Sequence, residues 1–213
     1  TKASGNSSHA EGRGTVASGQ YSHAEGGSTT ASGYAAHAEG SQCVASGGSS
    51  HAEGAETVAS GSCCHAEGYK TEVNGDASHV EGNKSKVNAW YAHAEGDTTT
   101  ATGNASHAQN VGTISNVYAS TAIGRFNKSM NGDRANYVAT ADAFVIGNGS
   151  SATVLSNAFR VTFDGKTYGL SAFNSTGADY SEFFEWLDGN PDAEDRVGYF
   201  VTLDGEKIRK ASV

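Results

Sequence analysis

Eight histidines at a constant spacing are the residues of this 213-residue chain whose types and pattern point to chemistry. They recur every fourteen residues within Ser-His-Ala-Glu-Gly or a close variant of it. An imidazole beside a carboxylate forms a hydrogen-bonded pair, and converging imidazoles can ligate a transition metal. We name the whole set the His/Glu ladder. Its members are His9, Glu11, His23, Glu25, His37, Glu39, His51, Glu53, His65, Glu67, His79, Glu81, His93, Glu95 and His107, with Gln109 in the last acidic position.

The length of the repeat determines which elements can position this ladder. Helical repeat families need more than about thirty residues per unit, whereas two short strands and two turns fit this period. Glycines mark the turns, because the series that begins at Gly12 closes one strand and the series that begins at Gly5 closes the other. The sequence therefore predicts an all-β fold in which each repeat forms one coil of a parallel β-solenoid.

Small residues occupy one face of both strands in every repeat. Side chains alternate between the faces of a strand, so Ala10 and Ser8 share an inward face, as do Ala17 and Thr15. Equally small residues at the later equivalents predict two closely spaced sheets. The outward face of the second strand is mixed and suits solvent. The outward face of the first strand is the uniform ladder, so we expect it to contact another copy of the chain.

A ninth repeat carries a resemblance to a known family. In Ser120-Thr121-Ala122-Ile123-Gly124, threonine takes the histidine position and isoleucine takes the glutamate position. This form resembles the repeat of YadA-like trimeric adhesin heads, over roughly residues 3–124. The resemblance implies a left-handed parallel β-roll that packs as a homotrimer. In that family the pair flanking the central alanine is apolar and faces the other subunits, whereas this chain places histidine and glutamate there.

In such a trimer the ladder would form layers of imidazoles and carboxylates, repeating at about 4.8 Å. Buried charges must pair, because an unpaired buried ion costs several kcal/mol. We therefore expect His–Glu hydrogen bonds between chains, and an assembly that loosens at low pH. Metal or anion binding on the threefold axis is the alternative, and the sequence predicts no resident metal or cofactor. Many equivalent copies indicate a scaffold rather than an active site.

The pattern changes after the ninth repeat. Residues 127–134 are typical of an irregular insertion, and residues 143–147 resemble one more coil, apolar in both outward positions. The domains that we predict are a β-roll over residues 1–126, an irregular insertion with a capping coil over 127–154, and a small β-rich α+β domain over 155–213.

The last of these domains has its own local pattern. A strand is predicted over residues 158–163, before a tight turn at Asp164-Gly165. A short helix is predicted over 180–187, where apolar residues share one face. A hairpin joining residues 197–203 and 206–212 follows, about Asp204-Gly205.

Four motifs of this segment carry a second resemblance. They are Asn157-Ala158-Phe159-Arg160-Val161, Gly177-Ala178-Asp179-Tyr180, Glu182-Phe183-Phe184-Glu185-Trp186, and the run from Arg196 to Ile208. They resemble the self-cleaving chaperone domain at the C-terminus of phage tail-spike and neck-appendage proteins. The resemblance implies a glutamic-type self-cleavage near Ser175, with Asp179 and Glu182 as acid and base. Asn174 or Ser175, or an activated water, would attack the backbone.

Other roles for these residues stay open. Asp179 and Glu182 also fit a capping box before an apolar run, and we expect Glu185 to be solvated. At most, therefore, the chain is an intramolecular self-cleaving peptidase, and the repeat region is not an enzyme. The chain opens in mid-repeat and stops at Val213, before the end of the family's domain, so we expect it to be part of a longer protein.

Composition excludes several classes of partner. A net charge of −9 without basic clusters argues against nucleic acid and anionic membrane surfaces. No apolar run approaches the roughly 20 residues of a membrane span. No signal peptide is visible at Thr1. Cys43, Cys63 and Cys64 occupy positions otherwise held mainly by small residues, so we expect fillers rather than a disulfide framework or a zinc site.

These observations predict a structural and adhesive homotrimer, a segment of a phage or prophage tail fibre that works outside the cell as a virion tail appendage. The alternatives are the head of a bacterial trimeric surface adhesin and a self-cleaving peptidase active in this chain itself. A host-cell glycan or protein is the expected partner of the exposed surface. Aromatic residues at turns either bind sugars or pack on neighbouring coils: Tyr21, Tyr34, Tyr69, Trp90 and Tyr91.

Overall fold

The computed structural model describes residues 1–171, 186–191, 196, 201–205 and 207–210. These residues form β-strands and turns, and none of them lies in a helix. The chain divides into two compact units, Thr1–Ala172 and Phe173–Val213. The all-β solenoid of fourteen-residue coils expected from the repeat is confirmed.

Two sheets run along the repeats of the first unit, and only one of them continues beyond Ser115. The sheet that carries the histidines, here called the histidine sheet, has twelve strands: His9–Ala10, His23–Ala24, His37–Ala38, His51–Ala52, His65–Ala66, His79–Val80, His93–Asp97, His107–Val111, Thr121–Arg125, Asp142–Asn148, Asn157–Thr162 and Thr167–Gly169. The second, here called the facing sheet, has nine: Lys2–Ala3, Val16–Ala17, Thr30–Ala31, Val44–Ala45, Val58–Ala59, Glu72–Val73, Lys86–Val87, Thr100–Ala101 and Ile114–Ser115.

Parallel pairing with a register of one repeat holds the coils together. His65 lies beside His51 on one side and beside His79 on the other, and the same alignment recurs along both sheets. Because every coil has the same length, each residue type stacks on its own equivalent in the next coil. A chemical pattern in the sequence thus becomes a straight row on the surface.

The interior between the sheets is as narrow as the small residues predict. Ala52 and Ala59 are fully buried, and so is Thr57. Hydroxyl groups in this interior satisfy turn carbonyls, as when the Ser22 hydroxyl donates to the carbonyl oxygen of Gly19 at 2.7 Å. Cys43 and Cys64 are buried fillers as expected, whereas Cys63 is exposed at a corner.

The corners contain a feature that sequence reasoning missed. Corner residues other than glycine adopt a left-handed conformation in two series, with φ between 49° and 60°. The first series is Ser7, Tyr21, Ala35, Ser49, Cys63, Ala77, Tyr91, Ala105 and Ala119, and the second is Ser28, Gln42, Glu56, Lys70, Lys84 and Thr98. A hydrogen bond to the preceding coil accompanies the strain, as when Ala35 N–H donates to the Gln20 carbonyl oxygen at 2.8 Å. The repeated corner is therefore fixed by backbone pairing rather than by residue type.

The far end of the histidine sheet is built as the sequence indicates. Residues 127–140 are irregular, and the strand that follows them pairs in parallel with the ninth coil. Phe144 aligns with Thr121 and Ile146 with Ile123, so this strand continues the register of the repeat. The complete capping coil stays a prediction. The next strand, Asn157–Thr162, then pairs antiparallel and ends the solenoid pattern.

The second unit is described in part. Val201–Asp204 and Lys207–Lys210 form an antiparallel hairpin, as predicted. Trp186 forms a bridge with Ile208, and the Arg196 guanidinium lies over the Trp186 ring at 4.4 Å. Of the helix predicted over residues 180–187, only Trp186 and Leu187 are among the described residues. The domain limits at 126 and 154 stay predictions.

Candidate functional site: the His/Glu ladder

The ladder lies on the outer face of the histidine sheet. Each histidine opens its strand, and the alanine or valine that follows points inward and is buried, as His51 and Ala52 show. From His23 to His93 the imidazole rings stack at 4.7–4.9 Å, with planes within 5° of parallel. This spacing is that of neighbouring strands, so the backbone register alone sets the stack.

Six glutamates of the ladder reach forward to the histidine of the next coil, whereas Glu11 contacts His9 of its own coil at 3.6 Å. The pairs are His37 with Glu25, His51 with Glu39, His65 with Glu53, His79 with Glu67, His93 with Glu81 and His107 with Glu95, at 3.3–3.7 Å between Nε2 and Oε1. Sequence reasoning expected His–Glu contacts between chains and did not identify this contact between coils of one chain. The fourteen-residue register was the signal that could have revealed it.

One ring nitrogen of each histidine beyond the first is sheltered from water and unpaired. The Nε2 atoms of seven histidines are buried and lack a hydrogen-bond partner. They are His23, His37, His51, His65, His79, His93 and His107. The nearest carboxylate oxygens lie beyond the roughly 2.7–3.2 Å of a hydrogen bond. The side chains themselves are half-buried, with His51 34% exposed and its partner Glu39 33%.

The folded chain favours the neutral form of two of these imidazoles, those of His51 and His93. Burial lowers the pKa of His51, and the neighbouring His65 and His37 imidazoles lower it further, against the opposing effect of Glu39. Burial lowers the pKa of His93 in the same way. Both imidazoles are therefore biased toward the neutral form.

The carboxyl groups also affect one another. Hydrogen bonding with Glu39, and then with Glu11, raises the pKa of Glu25. Hydrogen bonding with Glu53 and Glu25 lowers the pKa of Glu39. Equivalent carboxyl groups respond in opposite directions because a protonated group donates to an ionised neighbour. Of this pair, Glu25 is therefore the group that holds a proton more readily.

Groups of three possible metal ligands recur along the ladder, each with its ligand atoms within 4.8 Å of one another. The groups are His9, Glu11 and His23; His23, Glu25 and His37; His51, Glu53 and His65; His65, Glu67 and His79; and Glu81, His93 and Glu95. Imidazole nitrogen with one carboxylate oxygen is a donor set that suits zinc and other first-row ions.

The residues for which the sequence indicates self-cleavage lie outside the described residues. They are Asn174, Ser175, Asp179 and Glu182, together with Glu185. Their geometry is therefore not part of the site described above, and their roles stay predictions.

The turn aromatics are exposed on the solenoid. Tyr21 and Tyr34 belong to neighbouring coils and meet edge to face, with ring centroids 5.5 Å apart. Trp90 and Tyr91 are exposed by 56% and 69%. Contact between coils accounts for the first pair, while the second pair leaves most of its surface open.

Comparison with known proteins bears on the C-terminal part. Residues 128–213 match the sequence model of the family Peptidase_G2, described as the IMC autoproteolytic cleavage domain, where IMC denotes an intramolecular chaperone. Comparison with curated proteins yields no match. The resemblance to a self-cleaving chaperone domain is thereby confirmed. Within the described part of the chain, no helix has the length and apolar character required to cross a membrane.

Proposed function

We propose that the chain is a segment of a phage tail fibre, a homotrimeric rod with a self-cleaving chaperone region at its C-terminal side. A β-solenoid joined to an intramolecular chaperone domain fits a phage tail-fibre-like protein. The observation that carries the proposal is the unbroken ladder on one face of a rod, followed by that domain. Host attachment through the exposed surface and a place on the virion are parts of the proposal.

The ladder face is the surface that we assign to contact between chains. It presents the same pair of side chains from coil to coil, whereas the equivalent outward positions of the facing sheet hold Val44, Val58, Glu72 and Lys86. Solvent imposes no such uniformity, but a straight partner with the same period does. A second and third copy of the chain have this period because their sequence is the same. The interface would cover side chains that are about one-third exposed in the single chain.

The narrow interior supports assembly for an energetic reason. Its buried apolar residues are almost all alanine and valine, so each coil removes little apolar surface from water. At about 25 cal/mol per Å² this burial opposes a backbone entropy of about 1–2 kcal/mol per residue. Association along the rod adds buried area to every coil without enlarging the interior.

For the chaperone region we propose that assembly precedes a single backbone cut near Ser175. A carboxylate of Asp179 or Glu182 would accept the proton of the attacking hydroxyl or water, while the other, protonated, would donate to the leaving amide nitrogen. With water as the nucleophile, the carbon–oxygen bond forms as the carbon–nitrogen bond breaks, and the chain is cut into an acid and an amine. With the Ser175 hydroxyl, the same step gives an ester, which water must then hydrolyse to complete the cut. Two neighbouring carboxyl groups with different proton affinities suit this division of roles.

Native mass measured by light scattering at neutral pH tests the trimer. A mass near three times 21.8 kDa is expected. A monomer over the accessible concentration range would overturn the assignment of the ladder as an interface between chains.

Mass spectrometry of the full-length polypeptide tests the cut. Asp179→Asn and Glu182→Gln should leave the chain uncut, while Glu185→Gln, a matched change three residues farther on, should still cleave. Equal cleavage in all variants would refute the carboxylate roles without affecting the trimer.

A further inference from the structure

The outer face of the histidine sheet changes its chemistry after the eighth coil. In strand register, Thr121 follows His107, and Phe144 follows Thr121. Ile146 lies beside Ile123 in the neighbouring row, which the ladder glutamates occupy in earlier coils. The rows of imidazoles and carboxylates therefore continue, on the same face of the same sheet, as rows of apolar side chains.

These apolar side chains are not part of the interior. Val145 points inward and is fully buried, so Phe144 and Ile146 on either side of it point outward. Both are half-buried, and neither belongs to the core cluster that Val145 helps to form. Val161 of the antiparallel strand lies opposite Phe144 and widens the patch on the same face. We name Ile123, Phe144, Ile146 and Val161 the apolar end of the ladder face.

A ladder of identical layers cannot fix how far one chain lies along another. Its stacked rings repeat at 4.7–4.9 Å. A copy displaced by one coil would again set histidine against histidine and glutamate against glutamate, and would lose contacts only at the ends of the ladder. Strand pairing has the same weakness where side chains do not distinguish one register from another. A feature outside the ladder must therefore select one alignment.

We propose that the apolar end sets the axial register between copies of this chain, by packing against the apolar ends of the second and third copy. This inference rests on the homotrimer of the proposed function. It identifies the part of the interface between chains that supplies the register which the uniform ladder lacks.

The apolar end distinguishes the correct alignment from displaced ones. In register, the Phe144 and Ile146 side chains of all copies lie in one layer. Displacement by two coils would set Phe144 of one copy against His107 of another, and Ile146 against Gln109. Imidazole and amide groups would then lose water to an apolar surface that offers them no hydrogen bond, which is unfavourable. The alignment that brings the apolar ends together removes the most apolar surface from water.

Continuity with the ladder identifies the occupant of this patch as another copy of the chain. Phe144 belongs to a strand that pairs in parallel register with the ninth coil, so a chain that lies along the ladder reaches the patch as well. A straight copy presents its own apolar end at the same height. The last acidic position of the ladder holds the uncharged Gln109, so no carboxylate row adjoins the patch in that coil. Self-association there brings no like charges together.

Mixed assembly of chains with different numbers of coils tests the proposal. A short chain that lacks residues 41–68 loses two whole coils and keeps the rest of the repeat in phase. Against a full-length chain, its ladder makes the same number of layer contacts whether the first coils or the last coils are aligned. Only alignment of the last coils brings the apolar ends together. The two alignments differ by two strand spacings, or about 9.6 Å.

Engineered cysteines report the alignment. The short chain lacks the three native cysteines and carries Glu25→Cys. The full-length chain carries either Glu53→Cys or Glu25→Cys, together with Cys63→Ser, which removes the exposed native thiol. A disulfide joins Cα atoms only about 4.4–6.8 Å apart, so it separates the two alignments. Mixed disulfides from position 25 of the short chain to position 53 of the full-length chain should form in about tenfold higher yield than those to position 25.

Substitution of the apolar end tests its part in this choice. With Phe144→Ser and Ile146→Ser in both chains, the yields of the two mixed disulfides should become similar, because the ladder alone does not prefer either alignment. Val16→Ser with Ile114→Ser is the matched control. It removes two outward aliphatic side chains from the facing sheet and should leave the ratio of yields unchanged.

The possible outcomes separate this inference from the proposed function. A preference for the disulfide between the two positions 25, or equal yields with the apolar ends intact, would contradict the inference without any substitution in the apolar end. A ratio that Phe144→Ser with Ile146→Ser leaves unchanged would assign the register to another part of the chain. Failure of the proposed function differs from both: native mass would show a monomer, and no disulfide would join full-length chains that carry Glu53→Cys.

Discussion

The two sheets of the solenoid share one interior but have opposite outer surfaces. On the inside, Ala52 of the histidine sheet and Ala59 of the facing sheet are both fully buried. On the outside, one sheet repeats histidine and glutamate, while the other varies among valine, threonine, glutamate and lysine. Steric limits act equally on the inward faces of the two sheets, so both inward faces carry uniformly small residues. Only an outer surface that meets a repeating partner or ligand needs a uniform sequence.

The two sheets also differ at the glycines that end their strands. Gly54 ends a histidine-sheet strand with φ of +103°, and a methyl group there would lie 2.2 Å from the Gly68 carbonyl oxygen. Gly47 ends a facing-sheet strand, and a methyl group would lie 1.9 Å from the Gly61 carbonyl oxygen. Later coils place Asn110 at the first kind of position and Ala89 at the second. Alanine therefore occurs at a strand-end glycine position of the facing sheet, at Ala89, and at none of those of the histidine sheet.

The largest expected effect is a loss of stability when one of these glycines is replaced by alanine, and its size should differ between the two sheets. Gly54→Ala should lower the free energy of unfolding by about 3 kcal/mol, because both the positive φ and the backbone clash oppose it. Gly47→Ala should lower it by about 1–2 kcal/mol, since the clash alone acts there. Thermal or denaturant unfolding measures both.

The adjacent Gly48 supplies the control for these two variants. The nearest atom to a methyl group at Gly48 is the Ser62 hydroxyl oxygen at 3.8 Å. Gly48→Ala should therefore change stability by less than about 0.5 kcal/mol. Equal losses at Gly54 and Gly47 would show that the two sheets tolerate a side chain at the strand end alike.

Next in size is the effect of a lysine on each outer surface. Glu53→Lys places a cation among the ladder imidazoles and, in a trimer, would bring like charges together. Association should weaken at least tenfold, or about 1.4 kcal/mol. Val58→Lys makes the same addition to the facing sheet, where Lys86 already occupies the equivalent position and pairs with Glu72 at 3.0 Å. Sedimentation over a concentration series should show dissociation for Glu53→Lys alone; dissociation of both would assign the interface elsewhere.

Acidification should destabilise the histidine sheet in particular. Burial is the main cause that lowers the pKa of His51 in the folded chain. The neighbouring His65 and His37 lower it further, while Glu39 opposes the shift. Below about pH 6.5 the unfolded chain therefore binds more protons than the folded chain, and stability falls as pH falls. The melting temperature of the chain should drop between about pH 7.5 and 5.

Variants on the two sheets test whether the buried imidazoles cause this pH dependence of the melting temperature. His51→Gln combined with His93→Gln, the other histidine whose pKa burial lowers, should flatten the change in melting temperature. Val58→Thr, which introduces a residue that the facing sheet already carries at the equivalent Thr30 and Thr100, should leave it intact. A melting temperature that stays constant or rises on acidification would contradict the effect of the buried imidazoles.

The repeat explains why so much of the solenoid could be predicted from sequence. A constant period fixes the register, and strand alternation then assigns Ala52 to the interior and His51 to the surface. The same alignment identified the strand of Phe144 and Ile146 as a continuation of the repeat. The contact between Glu53 and His65 was missed because the sequence shows neighbours along the chain more readily than neighbours across coils. The left-handed Ala35 was missed because its backbone conformation is imposed by coil closure against residue preference.

The smallest effect concerns the corners that join the two sheets. Ala35 has φ of 51°, which costs an L-residue about 1–2 kcal/mol, whereas glycine adopts it freely but loses about 0.5–1 kcal/mol of chain entropy. Ala35→Gly should therefore stabilise the chain by roughly 0.5 kcal/mol. Ala36→Gly, at the next position, removes a buried methyl group and should destabilise it by about 1 kcal/mol. Opposite signs in paired unfolding curves would show that the corner is strained by closure of the coil; a loss of stability in both would mean that the alanine is already well suited to the corner, and that the inter-coil hydrogen bond compensates for its conformation.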